Sequence, residues 1–225
     1  MSTILISGAN RGIGFELARQ FAEDGWTVLG TARNPSQATE LAQLPGTEVL
    51  ALDVTQAASI DALRDALGGR PIDVLIANAG IAVNLAAKPA EITQADFLQV
   101  VETNTFGPLA LAAALKPNLL AGKLKIATAM SSLMSSIGAN DWGTQYTYRA
   151  SKTGLNAVWS ALAKEWKEDG ITCTLLRPGL VATRMTNFNG IAVETSVAGM
   201  KKVVEGLTID DSGRIIGYDG TDVPW

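Results

Sequence analysis

The chain has 225 residues and a mass of 23.6 kDa. A chain of this length can bury roughly 70% of the surface of its unfolded form without disulfides or a structural metal. Cys173 is the only cysteine, which excludes an internal disulfide and a Cys-x-x-Cys pair. Histidine is absent, which excludes Ser-His-Asp and Cys-His nucleophile systems and His-ligated metal sites. We therefore expect no metal centre, and acid–base chemistry must come from Tyr, Lys, Asp or Glu.

Eighteen basic and 22 acidic residues give a net charge of −4 and a pI near 4.9. This charge is unfavourable for binding nucleic acid. The first residues contain no basic segment and only a short apolar run, unlike a signal peptide. No stretch approaches the ~18 consecutive apolar residues that a membrane span needs. Together with the single thiol, these patterns predict a cytoplasmic protein with no membrane or nucleic-acid partner.

Short apolar runs alternate with segments of helical period along the whole chain. Strands are predicted at Thr3–Ser7, Thr27–Ala32, Glu48–Leu52, Val74–Ala77, Lys125–Met130, Ile171–Leu176 and Arg214–Tyr218. Helices are predicted at Ile13–Asp24, Ala57–Leu67, Gln94–Leu120, Thr147–Glu168 and Glu194–Gly206, with a weaker one at Ser36–Gln43. The strands show little polar alternation, which is typical of a parallel sheet covered by helices on both faces.

Several residues predict where helices begin or bend. Thr93 and Thr195 are of the type that caps a helix start. Gly107 and Pro108 lie inside the long predicted helix Gln94–Leu120 and are expected to kink or break it. No repeat, low-complexity tract or linker marks a boundary, so we predict a single domain over residues 1–225.

The first chemical signal follows the first predicted strand, in the segment Ser7-Gly8-Ala9-Asn10-Arg11-Gly12-Ile13-Gly14. Glycines in such a turn let the backbone approach a pyrophosphate, whose charge is met by the amides of the following helix. A glycine-rich connection without a ligand shows the same pattern. The strand–turn–helix context favours a dinucleotide site, although the spacing is GxxxGxG and not GxGxxG.

The second signal is Tyr148-Arg149-Ala150-Ser151-Lys152 within a predicted helix. Residues four apart share a helix face, with Cβ atoms ~6 Å apart. We therefore expect the Lys152 ammonium to lower the pKa of the Tyr148 phenol from ~10, so that it can exchange a proton near neutral pH. An ordinary amphipathic helix carries such a pair as well. Tyr146 has Ala150, not a lysine, four residues further on.

These signals, joined to two more, resemble the short-chain dehydrogenase/reductase family. The further motifs are Asn78-Ala79-Gly80 after the fourth strand and Pro178-Gly179-Leu180-Val181-Ala182-Thr183 after the sixth. Within the family the chain is similar to the small carbonyl-reductase group that includes sniffer-type reductases and bacterial C-factor proteins, in Met130-Ser131-Ser132 and the closing Asp219–Trp225 segment. The resemblance implies a Rossmann-type α/β fold, with a doubly wound parallel sheet of seven strands in the order 3-2-1-4-5-6-7.

Two residues depart from the family pattern. Ser7 replaces the usual Thr of the glycine motif but keeps a hydroxyl. Ala77 replaces the first Asn of the usual Asn-Asn-Ala-Gly, which is expected to loosen hydrogen bonds around the central sheet.

The resemblance also implies a catalytic set. It assigns Tyr148 and Lys152, with Asn104 positioning a water behind the lysine; an exposed Asn before a helix kink is the alternative. A serine after the fifth strand holds the substrate oxygen. The commonest family spacing selects Ser135, 13 residues before Tyr148. We prefer Ser132, because it directly follows the apolar strand, where its geometry is more easily fixed.

The end of the second strand predicts the cofactor. An NAD site would place an acid about 20 residues after the glycine turn, but the chain reads Thr31-Ala32-Arg33-Asn34. Arg33 and Arg11 can meet a 2′-phosphate, although each alone is equally explained as a solvated surface residue. We therefore predict NADP(H). The residues expected to hold it are Gly8, Asn10, Arg11, Gly12, Ile13, Gly14, Arg33, Asp53, Val54, Asn78, Ala79, Gly80, Tyr148, Lys152, Pro178, Gly179, Val181 and Thr183.

Two functions follow from these residues. The first is NADPH-dependent hydride transfer to a small-molecule ketone, aldehyde or quinone. The second is a signalling or regulatory protein of the C-factor type with incidental turnover. The resemblance further implies a homodimer, with two apolar helices paired across a two-fold axis. We assign this interface to Leu109–Leu120 and Tyr148–Trp166, including Leu155 and Trp159.

Overall fold

The computed structural model describes all residues from 1 to 225. Its seven strands form one parallel sheet in the order β3-β2-β1-β4-β5-β6-β7, which confirms the predicted topology. The strands are β1 (Thr3–Ile6), β2 (Thr27–Ala32), β3 (Thr47–Ala51), β4 (Val74–Ala77), β5 (Ile126–Met130), β6 (Thr172–Arg177) and β7 (Ile215–Gly217). β1, β4 and β5 are buried over nearly their whole length, as expected for strands covered on both faces.

Helices connect successive strands and cover the two faces of the sheet. They are α1 (Gly12–Glu23), α2 (Thr39–Ala42), α3 (Ala57–Leu67), α4 (Gln94–Val101), α5 (Gly107–Ala121), α6 (Tyr146–Glu165) and α7 (Val193–Gly206). The predicted helix Ser36–Gln43 is only a 3₁₀ turn at Pro35–Gln37 followed by the four residues of α2. None of the helices combines the length and apolarity that crossing a membrane requires.

The long predicted helix Gln94–Leu120 is broken, as the sequence indicated. Residues Glu102–Phe106 form a π-helical turn between α4 and α5, and Pro108 occupies the first turn of α5. Proline is tolerated there because that position has no intrahelical donor to lose. A π-turn widens the helix by one residue per turn and recurs at functional sites. It lies around Asn104.

One of the two predicted helix caps is confirmed. The Thr93 hydroxyl accepts a hydrogen bond from the Asp96 amide at 3.0 Å at the start of α4. The prediction for Thr195 is wrong, because α7 already begins at Val193 and follows Ala192, which provides no side-chain cap.

Two hydrophobic clusters lie on opposite faces of the sheet. One packs α3, α5 and α6 against the strands, and the other packs α1 and α7. Leu155 and Trp159 belong to the first cluster and are 0% and 1% exposed. The prediction that these two side chains lie in a subunit interface is therefore wrong: α6 turns them toward its own sheet.

The parallel sheet brings the predicted motifs to one edge. The glycine turn follows β1, Arg33 follows β2, Asn78 follows β4, Ser132 follows β5 and Pro178 follows β6. Because the carboxyl ends of parallel strands share an edge, these segments converge where open α/β sheets bind their ligands.

Candidate active site

The glycine turn between β1 and α1 is built for close backbone contact. Gly8 and Gly12 have left-handed φ values of +68° and +57°, which favour glycine. A Cβ on Gly14 would lie 2.2 Å from the Gly8 carbonyl oxygen and 2.5 Å from the Asn78 side-chain nitrogen. The glycines therefore satisfy the packing of α1 on the sheet as well as the approach of a ligand.

Asn78 ties the glycine turn to the end of β4. Its side-chain nitrogen donates to the carbonyl oxygens of Ser7 and Gly8 at 3.0 and 3.1 Å. In return, the Ser7 hydroxyl accepts from the amides of Asn78 and Ala79, both at 3.0 Å. The buried Thr31 hydroxyl accepts from the Gly8 amide at 3.3 Å. These bonds hold the turn in one shape.

Ser7 and Thr31 were absent from the predicted site residues, and a weak signal marks both. Each is a hydroxyl residue in a strand that is otherwise apolar. A buried hydroxyl needs a hydrogen-bond partner, so such a residue near the carboxyl end of a strand indicates a neighbouring loop that must be held. The hydroxyl of Ser7 also does what the usual Thr would do, so this departure from the family pattern has no visible cost.

The N-terminus of α1 is suited to an anion. It has no side-chain cap, and its first turn contains no acidic residue, so its first amides remain free of protein partners. Such amides, with the helix dipole, favour a phosphate. Asn10 and Arg11 are exposed at the tip of the turn, and Ile13 is half-buried just inside α1. These features fit the pyrophosphate of a dinucleotide.

Arg33 lies at the carboxyl end of β2 with an exposed side chain. Neither Arg33 nor Arg11 forms a salt bridge with any carboxylate of the protein. Asn34 follows Arg33, and its amide oxygen accepts a hydrogen bond from Ser36. Two free cations and no acid at this edge fit a ribose that carries a 2′-phosphate.

Asp53 and Val54 lie after β3. One Asp53 carboxylate oxygen accepts from the Thr55 amide at 3.0 Å and from its hydroxyl at 2.7 Å, which is the pattern of a turn before a helix. Val54 is buried and lies where a Cβ on Gly107 would contact it at 3.0 Å. Both residues have structural partners, and their adenine contact stays a prediction.

The segment Pro178–Thr183 closes the other side of the glycine turn. The Pro178 carbonyl accepts from the buried Ser196 hydroxyl at 2.6 Å. Gly179 has φ +85°, and a Cβ there would lie 3.0 Å from the Tyr218 ring. Val181 pairs with Ile191 in an isolated parallel bridge. Thr183 is the nearest residue to a Cβ placed on Gly12, at 3.8 Å, so the two predicted cofactor motifs meet here.

Asn104, in the π-turn, is completely buried and holds three groups together. Its side-chain oxygen accepts from the Ile81 amide at 2.8 Å. Its side-chain nitrogen donates to the Ile81 carbonyl at 2.8 Å and to the Ser151 hydroxyl at 3.0 Å. The alternative of an exposed Asn before a kink is therefore wrong. Asn104 links the segment after β4 to the helix that carries Tyr148.

Lys152 is buried on the face of α6 that also carries Tyr148. Its ammonium donates to the Met130 carbonyl at 2.7 Å and lies 5.8 Å from the centroid of the Tyr148 ring. Burial lowers the pKa of Lys152 to about 8, because a low-dielectric environment disfavours the charged form. A Cβ on Gly80 would lie 3.6 Å from this ammonium, so the segment after β4 reaches the lysine as well.

The predicted effect of Lys152 on Tyr148 is wrong in this structure. Burial raises the pKa of the Tyr148 phenol to about 12, and a hydrogen bond with the Ser132 hydroxyl acts in the opposite direction. Desolvation dominates because the phenol lies against the protein interior, whereas Lys152 directs its proton to the Met130 carbonyl. The phenol is therefore held protonated, which is the form a proton donor needs.

The four serines after β5 are not equivalent. Ser132 is half-buried, accepts from the Met134 amide at 3.1 Å and is the serine that reaches Tyr148. Ser131, Ser135 and Ser136 are each 1% exposed. The Ser135 hydroxyl donates to the carbonyl of Ser132 at 2.5 Å. The structure thus brings Ser132 together with Tyr148 and Lys152, and it turns Ser135 toward the interior.

The fold and this constellation define an α/β dinucleotide-binding oxidoreductase without a metal-ligand cluster. The short chain dehydrogenase family model matches residues 2–194. The chain therefore belongs to the short-chain dehydrogenase family.

Similar proteins include both enzymes and a signalling protein. The NADPH-bound carbonyl reductase from chicken fatty liver superposes with a TM-score of 0.91 at 32% identity, covering 100% of this chain and 99% of that one. Carbonyl reductase Sniffer of D. melanogaster gives a TM-score of 0.90 at 30% identity, covering 100% of both chains. The C-signal protein of Myxococcus xanthus is 36% identical over 156 residues, which are 69% of this chain and 93% of that protein.

Proposed function

We propose that the protein is an NADPH-dependent carbonyl reductase that acts on small ketones, aldehydes or quinones. The observation that carries the proposal is the convergence of Ser132, a protonated Tyr148 and a buried Lys152 at the carboxyl edge of the sheet. The two carbonyl reductases of similar structure support the same activity. A protein released from catalysis has no reason to keep all of these groups in contact, which favours the enzyme over the regulatory alternative.

The roles of the side chains follow from their chemistry. NADPH, when bound, supplies a hydride to the carbonyl carbon of the substrate. The Ser132 hydroxyl donates a hydrogen bond to the carbonyl oxygen, on which negative charge develops. The Tyr148 phenol gives its proton to that oxygen as a general acid. The Lys152 ammonium stabilises the phenolate left behind, and Asn104 fixes α6 relative to the segment after β4.

The site for the cofactor is proposed on equally local grounds. The glycine turn and the uncapped start of α1 would receive the pyrophosphate. Arg33 and Arg11 would receive the 2′-phosphate. Thr183 and Asn78, which border the turn, would close the site toward the nicotinamide end.

The proposal is tested by following NADPH oxidation with a panel of aldehydes, ketones and quinones. We expect turnover with several members and formation of the matching alcohol or hydroquinone. If NADPH binds but no carbonyl compound accelerates its oxidation, the cofactor serves recognition and the proposal is wrong.

We expect carbonyl reduction to fall above about pH 8. The fraction of charged Lys152 decreases as the pH rises through its pKa of about 8, whereas Tyr148, with a pKa of about 12, stays protonated. Initial rates from pH 6 to 10 for the wild type and Lys152→Arg measure this limb. Arginine stays charged over that range, so the limb should disappear in the variant. A limb that stays near pH 8 in Lys152→Arg would contradict the assignment to Lys152.

We further propose that the protein acts as a homodimer in the cytoplasm, the compartment that suits a single buried thiol. The proposed interface is the outer face of α5 and α6. On α6 the exposed small residues Ala150, Ala157 and Ala161 form a stripe, and on α5 the exposed residues are Ala113, Pro117 and Leu120. A stripe of small residues lets two helices approach closely.

Light scattering coupled to size exclusion should give a mass about twice the 23.6 kDa of the chain. Ala157→Arg should reduce that mass to the monomer value, because a charge would be placed in the contact. Ala198→Arg on α7 is the matched control, since Ala198 is equally exposed on the opposite side of the sheet. A monomeric wild type, or a dimer unaffected by Ala157→Arg, would contradict this interface.

A further inference from the structure

Three buried polar residues form an unexplained cluster behind Ser132. Ser131, Ser135 and Asn156 are 1%, 1% and 2% exposed. Their side chains connect in a row: Ser131 Oγ lies 2.6 Å from Asn156 Oδ1 and 3.1 Å from Ser135 Oγ. Ser135 Oγ lies 2.5 Å from the Ser132 carbonyl oxygen. None of the three is needed for the roles described above.

Helix α6 explains why Asn156 reaches this cluster. Tyr148, Lys152 and Asn156 are spaced by four residues and therefore lie on one helix face. Lys152 contacts the carbonyl of Met130, and Asn156 contacts the side chain of Ser131. The phenol of Tyr148 meets the hydroxyl of Ser132. Three consecutive residues at the end of β5 are thus met by three successive turns of α6.

The hydrogens of the cluster determine its direction. If Asn156 accepts through Oδ1, Ser131 spends its only hydrogen there, and Ser135 spends its own on the Ser132 carbonyl. No hydrogen then remains for the contact between Ser131 and Ser135. In addition, the buried Asn156 Nδ2 has no partner in that orientation. A buried N–H without an acceptor is rare and costly.

Rotating the Asn156 amide by half a turn removes both defects. The two ends of a carboxamide have nearly the same shape, so the contact distances remain. Nδ2 then donates to Ser131, Ser131 donates to Ser135, and Ser135 donates to the Ser132 carbonyl. Every contact carries one hydrogen. The amide oxygen takes the place without a partner, and an under-satisfied carbonyl is better tolerated than an N–H.

We propose that Asn156, Ser131 and Ser135 are positioning residues, which form a one-directional hydrogen-bond chain from α6 to the backbone of Ser132. The inference rests on the proposed function, in which Ser132 holds the substrate oxygen. The Ser132 carbonyl accepts from both the amide and the hydroxyl of Ser135, at 3.1 and 2.5 Å. Its hydroxyl accepts from the Met134 amide at 3.1 Å, which leaves the hydroxyl hydrogen for the substrate. The chain thus fixes the reach of that hydroxyl beside Tyr148.

The test compares Ser131→Ala, Ser135→Ala and the double variant in carbonyl reduction. We expect each single variant to lower kcat about tenfold, because a misplaced donor weakens the transition state more than the substrate complex. The double variant should be no worse than the single ones, since either break interrupts the same chain. The dissociation constant for NADPH, measured by fluorescence without a substrate, and the midpoint of thermal unfolding should stay close to wild type.

Ser136→Ala is the matched control, because Ser136 is equally buried in the same loop but donates to the Trp225 carbonyl and not to the chain. Its kcat should stay within about twofold of wild type. The proposal is overturned if Ser135→Ala keeps wild-type kcat, if the two single losses multiply in the double variant, or if Ser136→Ala loses as much. If Ser135→Ala does not fold, Ser131→Ala alone carries the same expected loss against the same control.

Failure of the proposed function has a different signature. Absence of wild-type reduction of any carbonyl would reject the enzyme itself. If Ser132→Ala keeps wild-type activity while Ser135→Ala abolishes it, the oxygen-holding serine is Ser135, and the positioning chain is overturned together with that assignment. A large loss in Ser132→Ala combined with the tenfold loss in Ser135→Ala supports both.

Discussion

Tyr148→Phe should lower kcat for carbonyl reduction by about 10²- to 10⁴-fold, the usual contribution of a general acid. The ring still packs on α6 beside Lys152, but the phenol proton is gone. The dissociation constant for NADPH should stay within a few-fold, because no other contact is removed. Single-turnover reduction and fluorescence titration measure the two quantities on the same sample.

Tyr146→Phe is the matched control for this variant. Tyr146 lies two residues earlier at the start of α6, where it is 44% exposed. It has no lysine four residues further on, so its loss should leave kcat within about twofold. Turnover retained by Tyr148→Phe would remove Tyr148 from the proposed chemistry, and an equal loss in both variants would indicate a disturbed helix start.

Arg33→Ala should weaken NADPH about tenfold and leave NADH within about twofold. A charge-assisted hydrogen bond contributes about 1.5–3 kcal/mol, and the exposure of Arg33 favours the lower end of that range. Only NADPH offers the 2′-phosphate. Titration of both dinucleotides against the wild type and the variant gives the ratio directly.

The control for Arg33→Ala is Lys202→Ala, which removes the same charge from the exposed surface of α7. It should change neither dissociation constant. Equal losses for NADPH and NADH in Arg33→Ala would show that Arg33 does not bind the phosphate. The discrimination would then rest on Arg11.

The fold was largely predictable because its signals are local. Apolar runs indicate buried strands, and the segments between them have helical period, so the alternating order follows directly. The family resemblance supplies the strand order. Errors occurred where tertiary contacts override a local pattern. Lys125 was included in β5, but it has φ +53° and turns the chain before the strand begins. Thr195 was taken as a cap, although α7 begins two residues earlier.

The site was predictable in its membership and less so in its energetics. Spacing within the helix correctly predicted that Tyr148 and Lys152 share a face of α6. It could not predict that burial would outweigh the lysine and raise the pKa of Tyr148, because desolvation depends on the whole surrounding packing. For the same reason, the sequence placed Leu155 and Trp159 in an interface, although both point into the core.

Asn156 shows the limit of motif reasoning most clearly. Nothing in its neighbourhood along the chain distinguishes it from an ordinary helix residue. Its partner Ser131 lies 25 residues earlier and comes within reach only when α6 packs over β5. A buried polar network is therefore a property of the packed structure, which a local pattern cannot report.

The central claim is hydride transfer to a carbonyl carbon, with the proton supplied by Tyr148. The most direct test incubates the protein with NADPH that carries deuterium at nicotinamide C4, together with a prochiral ketone. We expect the alcohol to carry one deuterium on the carbinol carbon with the wild type, and Tyr148→Phe to give almost no alcohol while still binding NADPH. Absence of deuterated alcohol from every ketone and aldehyde tried, with NADPH bound, would contradict the account.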